Sequence, residues 1–600
     1  MNAPRDDSPD PLQTLALGAL VVFVAVSAGH WLAASLAALV GRQRSLHASL
    51  SDAFGALRRL PKHWTDPRRA WLEPASSNLP GPVVYWLSVA IVLVAALGGA
   101  ALWLKHRQRR HEPIDQRRRL GVDAQPRLAT TKDLAPLLGR QPEPGRLVLG
   151  RWGKRLLLTE APSFRGRRGV RGAVLLFGPS QSGKTTRLIE SVNAWGGPAI
   201  VSSVKTDLMR ATIERRTAIG EVKVFDPIGI SSMPSTTWSP LRAAKSLPGA
   251  LAAAQLLARA GGEEGPSDRF WRGQSEQLIA AMLWVAANTK GHSMRNVVRW
   301  VVELDRPDGD NTGTLSPLVR LLTDHEDESI ALAAKQVRGW LQGQWSTDPR
   351  TTSSVYATAR NAVWPWTDPG LAASADGCEI TLEWLCSGSN TLYLCAPLGD
   401  ESRVGVVFAA LLHDLIAQAF ERYNRQGTPN DPRLLVVLDE TANTPLPNLP
   451  QWAATITGAG IQLVTVWQSK AQLDQAFGKD ADNVLTNHRT KLIFPSGLSD
   501  LSTIEYISSL VGDEHVRADL EERGGQSLDR WGVARNPSTA VPYLSPNTLR
   551  RVRVGEALLL HGALQPAWLR ASRRERTAPQ HAVSVRINEV FGGRSGHSSG

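Results

Sequence analysis

The sequence predicts an α/β protein in which helices cover a central, mostly parallel sheet, preceded by two apolar helices. Three observations indicate this architecture. Short apolar runs of strand length alternate with helical segments. Two long uncharged runs lie before them, and one long stretch between strands carries only helical periodicity. At 600 residues, the chain is long enough for several structural units.

The composition excludes several classes of protein. A hydrophobic content of 42% and a charged content of 20% are not those of a disordered chain, a collagen-like fibre or a polytopic channel. The three cysteines, Cys378, Cys386 and Cys395, form no C-x-x-C pair and are too few for a disulfide framework. We therefore expect core thiols in a reducing compartment.

The positive charge is concentrated in one block. The net charge is +13, of which residues 101–171 carry +12, residues 1–100 carry +2 and the remainder about −1. The excess therefore does not by itself indicate a nucleic-acid-binding protein. We expect the basic residues that follow the second apolar run to contact anionic headgroups of the inner membrane lipids. They are Lys105, Arg107, Arg109, Arg110, Arg117, Arg118 and Arg119.

The two uncharged runs predict a membrane anchor. Leu15–Val40 has 26 residues and Val83–Leu104 has 22, which as helices reach ~39 and ~33 Å and so cross a hydrocarbon core of ~30 Å. A cleaved signal peptide fits poorly, because acidic residues precede the first run and the run is too long. His30, the one titratable residue of the first run, is expected in the interior or at the interface.

Charge alone does not fix the membrane topology. The loop at 41–82 and the stretch at 105–119 each carry seven Lys and Arg residues. The positive-inside rule therefore gives a tie.

A phosphate-binding loop follows the basic block. The apolar run Ala173–Phe177 leads directly into Gly178-Pro-Ser-Gln-Ser-Gly-Lys-Thr185, and Thr186–Trp195 is helical in pattern. This is G-x-x-x-x-G-K-[ST] in its required context of strand, loop and helix. Its backbone N–H groups and the helix N-terminus favour phosphate oxygens. The residues predicted to bind ATP are Gly178, Pro179, Ser180, Gln181, Ser182, Gly183, Lys184, Thr185 and Thr186.

A second acidic motif completes the predicted site. The apolar run Leu434–Leu438 is followed by Asp439 and Glu440, which a central strand delivers to the ligand edge of the sheet. We expect Lys184 to reach the β- and γ-phosphates, and Thr185 and Asp439 to hold Mg²⁺. Glu440 is the predicted general base for the attacking water.

Other short segments are predicted to be the remaining strands of the sheet. They are Ala199–Ser203, Val222–Phe225, Ile461–Val466 and Lys491–Phe494. Gln468 lies just after the third of these, where it could sense the γ-phosphate or orient water, which makes it a predicted catalytic residue. The alternative for Gln468 is a surface position that caps a helix.

The two nucleotide motifs are far apart in sequence. Asp439 lies 255 residues after Lys184, and much of the gap shows helical periodicity, as in Gln274–Ala287, Ile330–Leu341 and Ser353–Val363. An inserted helical domain explains this spacing. We expect its tryptophans to pack in the core rather than stack on bases. They are Trp271, Trp284, Trp300, Trp340, Trp345, Trp364 and Trp366.

From about residue 170 to 565 the chain resembles the TraG-like type IV coupling proteins, the membrane-anchored ATPases of conjugation and type IV secretion. The resemblance rests on the order and spacing of several motifs. Besides the two nucleotide motifs, these are Ser203-Val-Lys-Thr-Asp207, Val224-Phe-Asp-Pro227, Trp238-Ser-Pro-Leu241 and Gly460-Ile461 leading to Gln468-Ser469. The two N-terminal spans also resemble the anchor of that family.

The resemblance implies a RecA-like P-loop NTPase that assembles as a homo-hexamer in the inner membrane, with two spans and a cytoplasmic ATPase domain. It also implies that the motor recruits a relaxase with single-stranded DNA, or an effector protein, and passes it to a type IV secretion channel. The segment 430–560 is similar to the part that recognises a relaxosome accessory protein. The expected domains are an anchor at 1–104, a basic linker and domain start at 105–171, the RecA-like domain at 172–242 and 366–565, the all-helical insertion at 243–365 and a basic flexible tail at 566–600.

One motif departs from the family. Many relatives carry an arginine shortly before the Gly-Ile pair, where it could act as a finger to the neighbouring subunit. Ala454–Ile461 contains no arginine here, so another residue, with Arg489 as one candidate, does that work or the motor is slow.

Three other functions are alternatives to the coupling ATPase. An FtsK-like double-stranded DNA translocase favours four spans and a C-terminal winged helix, which the pattern does not show. An ABC transporter ATPase carries Leu-Ser-Gly-Gly-Gln before the acidic motif, whereas this chain has only Gly524–Ser527, after it. A membrane scaffold that has lost hydrolysis conflicts with the intact Lys184 and Glu440.

Overall fold

The computed structural model describes residues 11–110, 125–159, 163–164, 167–168, 171–260, 268–307, 313–397, 399, 401–444, 446–517 and 538–570. The chain divides into two compact units, residues 1–124 and 125–600, each with its own buried core. Residues 111–124 of the basic linker and residues 571–600 of the tail, for which the sequence predicts lipid contact and flexibility, lie outside the described residues.

The first unit is a helical hairpin with a small cap. Its helices are α1 (Pro11–Arg42), α2 (Leu50–Arg59), α3 (Ala75–Asn78) and α4 (Pro82–Arg110). The long helices α1 and α4 pack against each other. Small residues such as Ala34, Ala37 and Ala38 are fully buried on α1, so the neighbouring segments approach its backbone closely.

A polar cluster links the two long helices. The Tyr85 hydroxyl on α4 lies 3.2 Å from His30 Nε2 on α1, and Trp71 Nε1 donates to that hydroxyl at 3.1 Å. The rings of His30 and Trp71 stack with 5.3 Å between centroids. His30 therefore has partners that its position in the sequence does not reveal.

The second unit contains the remaining elements. Its strands are β1 (Leu138–Gly139), β2 (Val148–Trp152), β3 (Arg155–Leu158), β4 (Ser163–Phe164), β5 (Arg167–Arg168), β6 (Val174–Phe177), β7 (Ala199–Ser203), β8 (Val222–Phe225), β9 (Thr391–Cys395), β10 (Leu434–Leu438), β11 (Ile461–Trp467), β12 (Thr490–Ile493), β13 (Asp513–Arg517), β14 (Ser538–Pro542), β15 (Ala557–His561) and β16 (Ala567–Leu569). Its helices are α5 (Lys184–Ala194), α6 (Asp207–Thr217), α7 (Leu247–Ala260), α8 (Asp268–Asn288), α9 (Met294–Val302), α10 (Leu315–Thr323), α11 (Glu328–Trp345), α12 (Pro349–Val363), α13 (Pro369–Ser374), α14 (Leu382–Cys386), α15 (Glu401–Gln426), α16 (Leu449–Thr455), α17 (Lys470–Phe477), α18 (Ala481–Asn487), α19 (Leu501–Val511) and α20 (Pro546–Arg550).

A mostly parallel sheet forms the centre of this unit. Its strand order is β16-β15-β12-β6-β11-β10-β7-β9-β8. The strands from β12 to β8 in this order are parallel, whereas β15 is antiparallel to both of its neighbours. Every residue of β6, β7, β9, β10 and β11 is buried. Continuous apolar runs form these strands because helices cover both faces of the sheet.

Helices occupy the chain between edge strand β8 and strand β9. Helices α7 to α14 lie in this interval, and its described residues contain no strand. Residues 278–286 of α8 are all buried, and α7, α9, α11 and α12 pack against this helix. The indoles of Trp284, Trp300 and Trp366 are buried, whereas Trp364 is exposed.

Three described helices are long and apolar enough to cross a membrane. Their apolar windows are Val24–Arg42 in α1, Pro82–Trp103 in α4 and Arg403–Gln426 in α15. Most of the α15 window is buried in the core of the second unit. By contrast, α4 leaves large apolar side chains exposed, among them Val94 and Leu102. The two N-terminal helices are thus consistent with membrane association, and α15 is a core helix.

Arg216 joins α6 to the amino ends of the central strands. Its side chain is fully buried and donates to Thr391 Oγ1 at 2.7 Å and to the carbonyls of Trp195, Gly197 and Ser389 at 2.5, 2.7 and 3.0 Å. Burial lowers the pKa of this guanidinium, and these oxygens compensate the charge.

We expect Arg216→Ala to destabilise the second unit by about 3 kcal/mol, because it leaves buried acceptors unpaired and opens a cavity. The measurement is the denaturant midpoint of unfolding followed by tryptophan fluorescence. The matched control is Arg215→Ala, which removes the exposed neighbouring arginine and should leave the midpoint unchanged. Equal midpoints for the two variants would show that Arg216 does not stabilise the sheet.

Candidate nucleotide-binding site

The glycine loop connects β6 to α5. Strand β6 ends at Phe177, and α5 begins at Lys184. Gly183 has φ 108°, which disfavours other residues, and a side chain there would approach the Gly555 Cα to 2.9 Å. The Gly555 N–H also donates to the Ser182 carbonyl at 3.0 Å. The turn before β15 therefore supports the loop.

Lys184 is bound within the loop. Its Nζ donates to the Gly178 carbonyl at 2.5 Å and to the Pro179 carbonyl at 2.8 Å. Burial lowers the pKa of this ammonium, while the charges of Asp439 and Glu440 raise it. The cation and the two acids are thus within electrostatic reach of each other.

The other predicted loop residues differ in exposure. Ser180, Gln181, Thr185 and Thr186 are exposed at the surface of the loop and the first turn of α5. Ser182 is buried, and in the described structure its Oγ has no hydrogen-bond partner. A buried hydroxyl without a partner fits a loop that binds a ligand with acceptor oxygens.

The acid pair lies at the same edge of the sheet. Strand β10 is separated from β6 by β11, and Asp439 follows it directly. Ser203 Oγ, at the end of neighbouring β7, donates to Asp439 Oδ2 at 3.2 Å. Burial and the charge of Glu440 raise the pKa of Asp439 to about 6, against the opposing effects of Ser203 and Lys184.

Glu440 has an unusual backbone. Its φ of 51° and ψ of 53° place a non-glycine residue in the left-handed region, which costs about 1–3 kcal/mol and is typical of functional sites. Its Oε1 lies 3.3 Å from Lys205 Nζ, and its Oε2 accepts a 3.4 Å bond from Asn443 Nδ2. The carboxylate is held on both sides.

Gln468 lies beside the glycine loop. Trp467 at the end of β11 pairs with Phe177, and the Gly178 N–H donates to the Trp467 carbonyl at 3.2 Å. The Gln468 side chain is exposed, and its backbone N–H donates to Gln472 Oε1 at 3.0 Å. Its position is that expected of a residue at this edge, and its role in orienting water stays a prediction.

Arg489 lies at the opposite end of the central strands from the glycine loop, where the parallel strands begin. It precedes Thr490, which pairs with Val174 at the start of β6, whereas the glycine loop follows the end of that strand. Within one chain Arg489 therefore lies away from the glycine loop.

Sequence reasoning missed several contacts of the site. Ser203 and Lys205 contact Asp439 and Glu440, although the sequence analysis gave them no role. The signal that could have found them is that the carboxyl ends of adjacent parallel strands meet at one edge. The support by Gly555 has no such signal, because it depends on where an antiparallel strand enters the sheet.

The residues present fit a magnesium ion carried by a nucleotide. Thr185 offers an exposed hydroxyl and Asp439 a carboxylate that a cation would stabilise, and Mg²⁺ prefers oxygen ligands. Among the described residues no group of three or more His, Cys, Asp or Glu side chains could hold a metal ion. Mg²⁺ typically relies on one or two carboxylates together with phosphates and water.

Comparison with known proteins identifies a family that this chain matches. The family model for type IV secretory system conjugative DNA transfer matches residues 125–568. A probable conjugal transfer protein TraG of Sinorhizobium fredii (strain NBRC 101917 / NGR234) is 24% identical over 433 residues, which cover 70% of this chain and 63% of that protein. The conjugal transfer protein TraG of Rhizobium radiobacter is 25% identical over 313 residues, covering 50% and 45%. The chain thus spans less than two thirds of the length of these relatives.

Solved structures share the fold. The unbound bacterial conjugative coupling protein TrwBdeltaN70 superposes with a TM-score of 0.55 at 15% identity, over 75% of this chain and 92% of that one. The plasmid coupling protein TrwB in complex with the GTP analogue GDPNP gives a TM-score of 0.50 at 17% identity, over 67% and 85%. These similarities confirm the predicted α/β, RecA-like P-loop fold.

We expect Mg²⁺-dependent nucleotide binding to weaken as the pH falls below about 6, because the raised pKa of Asp439 leaves its carboxyl protonated there and only the carboxylate binds the metal. Well below this pKa the nucleotide affinity should fall by about tenfold for each unit of decrease in pH. The measurement is the affinity for a fluorescent ATP analogue, with magnesium and with a chelator, between about pH 5 and about pH 7. Ser203→Ala removes a bond that favours the carboxylate and should move the decline to higher pH. The same decline in the presence of chelator would exclude Asp439 as its cause.

Proposed function

The chain belongs to the type IV secretory system conjugative DNA transfer family, and we propose that it is a membrane-anchored ATPase coupling protein. In this proposal it recruits a relaxase–DNA complex or an effector protein and drives its transfer into a type IV secretion channel by ATP hydrolysis. The observation that carries the proposal is the convergence of the glycine loop, Asp439 and Glu440 at one edge of a parallel sheet in a chain of this family.

The chemistry follows from the positions of these side chains. The loop N–H groups and Lys184 bind the triphosphate, and Thr185 and Asp439 hold its Mg²⁺. When bound, the ion neutralises charge on the phosphate oxygens. Glu440 takes the proton from the attacking water, and Gln468 at the neighbouring strand end orients that water. The triphosphate substrate is ATP in this proposal. TrwB, which shares the fold, has been solved with a GTP analogue.

The membrane topology follows from the location of ATP. Since ATP is cytosolic, the unit that follows α4 is cytoplasmic, and two spans in α1 and α4 return the N-terminus to the same side. Residues 43–81 then lie on the outer side of the inner membrane. The basic residues that follow the second apolar run, of which the first four lie in the last turns of α4, then contact anionic lipid on the cytoplasmic side.

The assembly is proposed to be a homo-hexamer. The all-helical domain at 243–365 then faces the cytoplasm, and 430–560 contacts the relaxosome accessory protein. The RecA-like domain comprises 172–242 and 366–565. Hydrolysis at each site moves the substrate towards the channel.

The direct test is ATP turnover by the full chain in lipid nanodiscs, with and without single-stranded DNA. We expect single-stranded DNA to raise turnover, and Lys184→Ala to abolish turnover and conjugative transfer because the variant has lost its phosphate-binding cation. Membrane insertion of this variant should be unchanged. Stimulation by double-stranded DNA alone would favour a chromosome-type translocase. No response to DNA, or normal transfer with Lys184→Ala, would contradict the DNA motor.

We expect Glu440→Gln to bind ATP with normal affinity and to lower turnover by about 10²–10⁴-fold, because an amide cannot accept the proton of water. Equilibrium binding of the fluorescent analogue and steady-state hydrolysis measure the two effects separately. Near-normal turnover would mean that another group is the base.

A further inference from the structure

The ion pair between Lys205 and Glu440 has no role in the chemistry described so far. Lys205 follows β7 and Glu440 follows β10, and these strands are parallel neighbours in which Ser202 lies opposite Leu438. Lys205 Nζ lies 3.3 Å from Glu440 Oε1. The two side chains are 49% and 23% exposed, so the pair lies at the mouth of the site.

The position of Lys205 is fixed by contacts with the same acidic motif. Its backbone N–H donates to Ser203 Oγ at 3.3 Å, and that hydroxyl donates to Asp439 Oδ2 at 3.2 Å. Helix α6 begins at Asp207, shortly after this turn. A single short segment therefore contacts both acids, one through a hydroxyl and the other through an ammonium.

The contacts orient the Glu440 carboxylate without saturating it. Lys205 binds Oε1 and Asn443 binds Oε2. A carboxylate offers about four lone-pair sites, so sites remain for the proton of a water molecule. Because the backbone of Glu440 is in the left-handed region, its side chain leaves the strand in a direction that these two donors then stabilise.

Charges alternate across the mouth of the site. Lys184 and Lys205 lie on either side of Asp439 and Glu440, close enough for Lys205 to disfavour the charged form of Lys184. In the described structure the hydrogen bonds of Lys205 are with Ser203 and Glu440, neither of which belongs to the glycine loop. Its effect should therefore fall on turnover rather than on nucleotide affinity.

We propose that Lys205 is a positioning residue that holds the Glu440 carboxylate in the orientation in which it accepts a proton from the attacking water. This inference rests on the proposed ATP hydrolysis. An ion pair this exposed contributes little to folding. Loss of Lys205 should therefore leave the protein folded and misorient the base.

The experiment compares variants of the full chain in nanodiscs by steady-state hydrolysis and by equilibrium binding of a fluorescent ATP analogue. We expect Lys205→Ala to lower kcat about tenfold, a part of the 10²–10⁴-fold contribution of a positioned base, with unchanged nucleotide affinity. Lys205→Arg should restore most of kcat, because the guanidinium also donates to a carboxylate. Lys154→Ala, which removes an exposed lysine from the turn between β2 and β3, is the matched control and should have no effect.

A double-mutant cycle separates positioning from other roles. If Lys205 acts through Glu440, Lys205→Ala should cause no further loss in the Glu440→Gln background. An equal loss in that background, weaker nucleotide binding, or kcat at or above the wild-type value in Lys205→Ala would overturn the inference. If the wild type turns over ATP, Lys184→Ala abolishes this turnover and Lys205→Ala leaves it unchanged, this inference is overturned and the proposed function stands. Absence of wild-type turnover would overturn the proposed function and this inference with it.

Discussion

The mutual compensation of buried charges across three adjacent strands is the interaction on which the rest of the site depends. Lys184 loses solvation in the loop after β6, and Asp439 loses it after β10, so burial disfavours the charged form of both. The opposite charges of Lys184 and Asp439 offset part of this cost for each other, and the Ser203 hydroxyl offsets a further part at Asp439. This requires β6 and β10 to flank β11 in one parallel sheet. Removing one partner would leave the charge of the other less well compensated. The same arrangement that stabilises these groups brings the phosphate-binding loop and the acids to one edge.

The long helical interval is compatible with this site because the chain leaves the sheet after an edge strand. The helices α7 to α14 follow β8, which is the last strand at one edge, and the chain returns to the sheet in β9, which lies between β8 and β7. The helical interval therefore interrupts no central strand. The entropic cost of closing a loop grows only slowly with its length. A separation of 255 residues between Lys184 and Asp439 is therefore compatible with a site built from neighbouring strands.

In the first unit the constraint is the pairing of polar groups between apolar helices. His30 on α1 reaches Tyr85 on α4, and Trp71 of the cap donates to the same hydroxyl. An unpaired polar group is costly among apolar side chains, so these contacts satisfy groups that the apolar surroundings cannot. The small buried residues of α1 permit the close packing that brings the partners together. A histidine in an apolar run is here a packing contact between two helices.

Hydrophobic periodicity and the order of the motifs predict those strands and helices whose pattern lies within a single segment of the chain. Strands β6 and β10 are continuous apolar runs, and β7, β8, β11 and β12 are short segments rich in apolar residues. Helices α8, α11 and α12 show helical spacing over several turns. The strand β9 was not predicted, because its five residues stand between helical patterns and only its place beside β7 makes it a strand. The apolar window of α15 meets the same criteria of length and hydropathy as α1 and α4, and burial alone distinguishes it. The contact between Lys205 and Glu440 joins residues 235 positions apart, and it depends on β7 and β10 being neighbours in the sheet. The glycine loop and the acids follow from local chemistry, whereas the side chains that hold the acids follow from strand order, which is a property of the folded sheet.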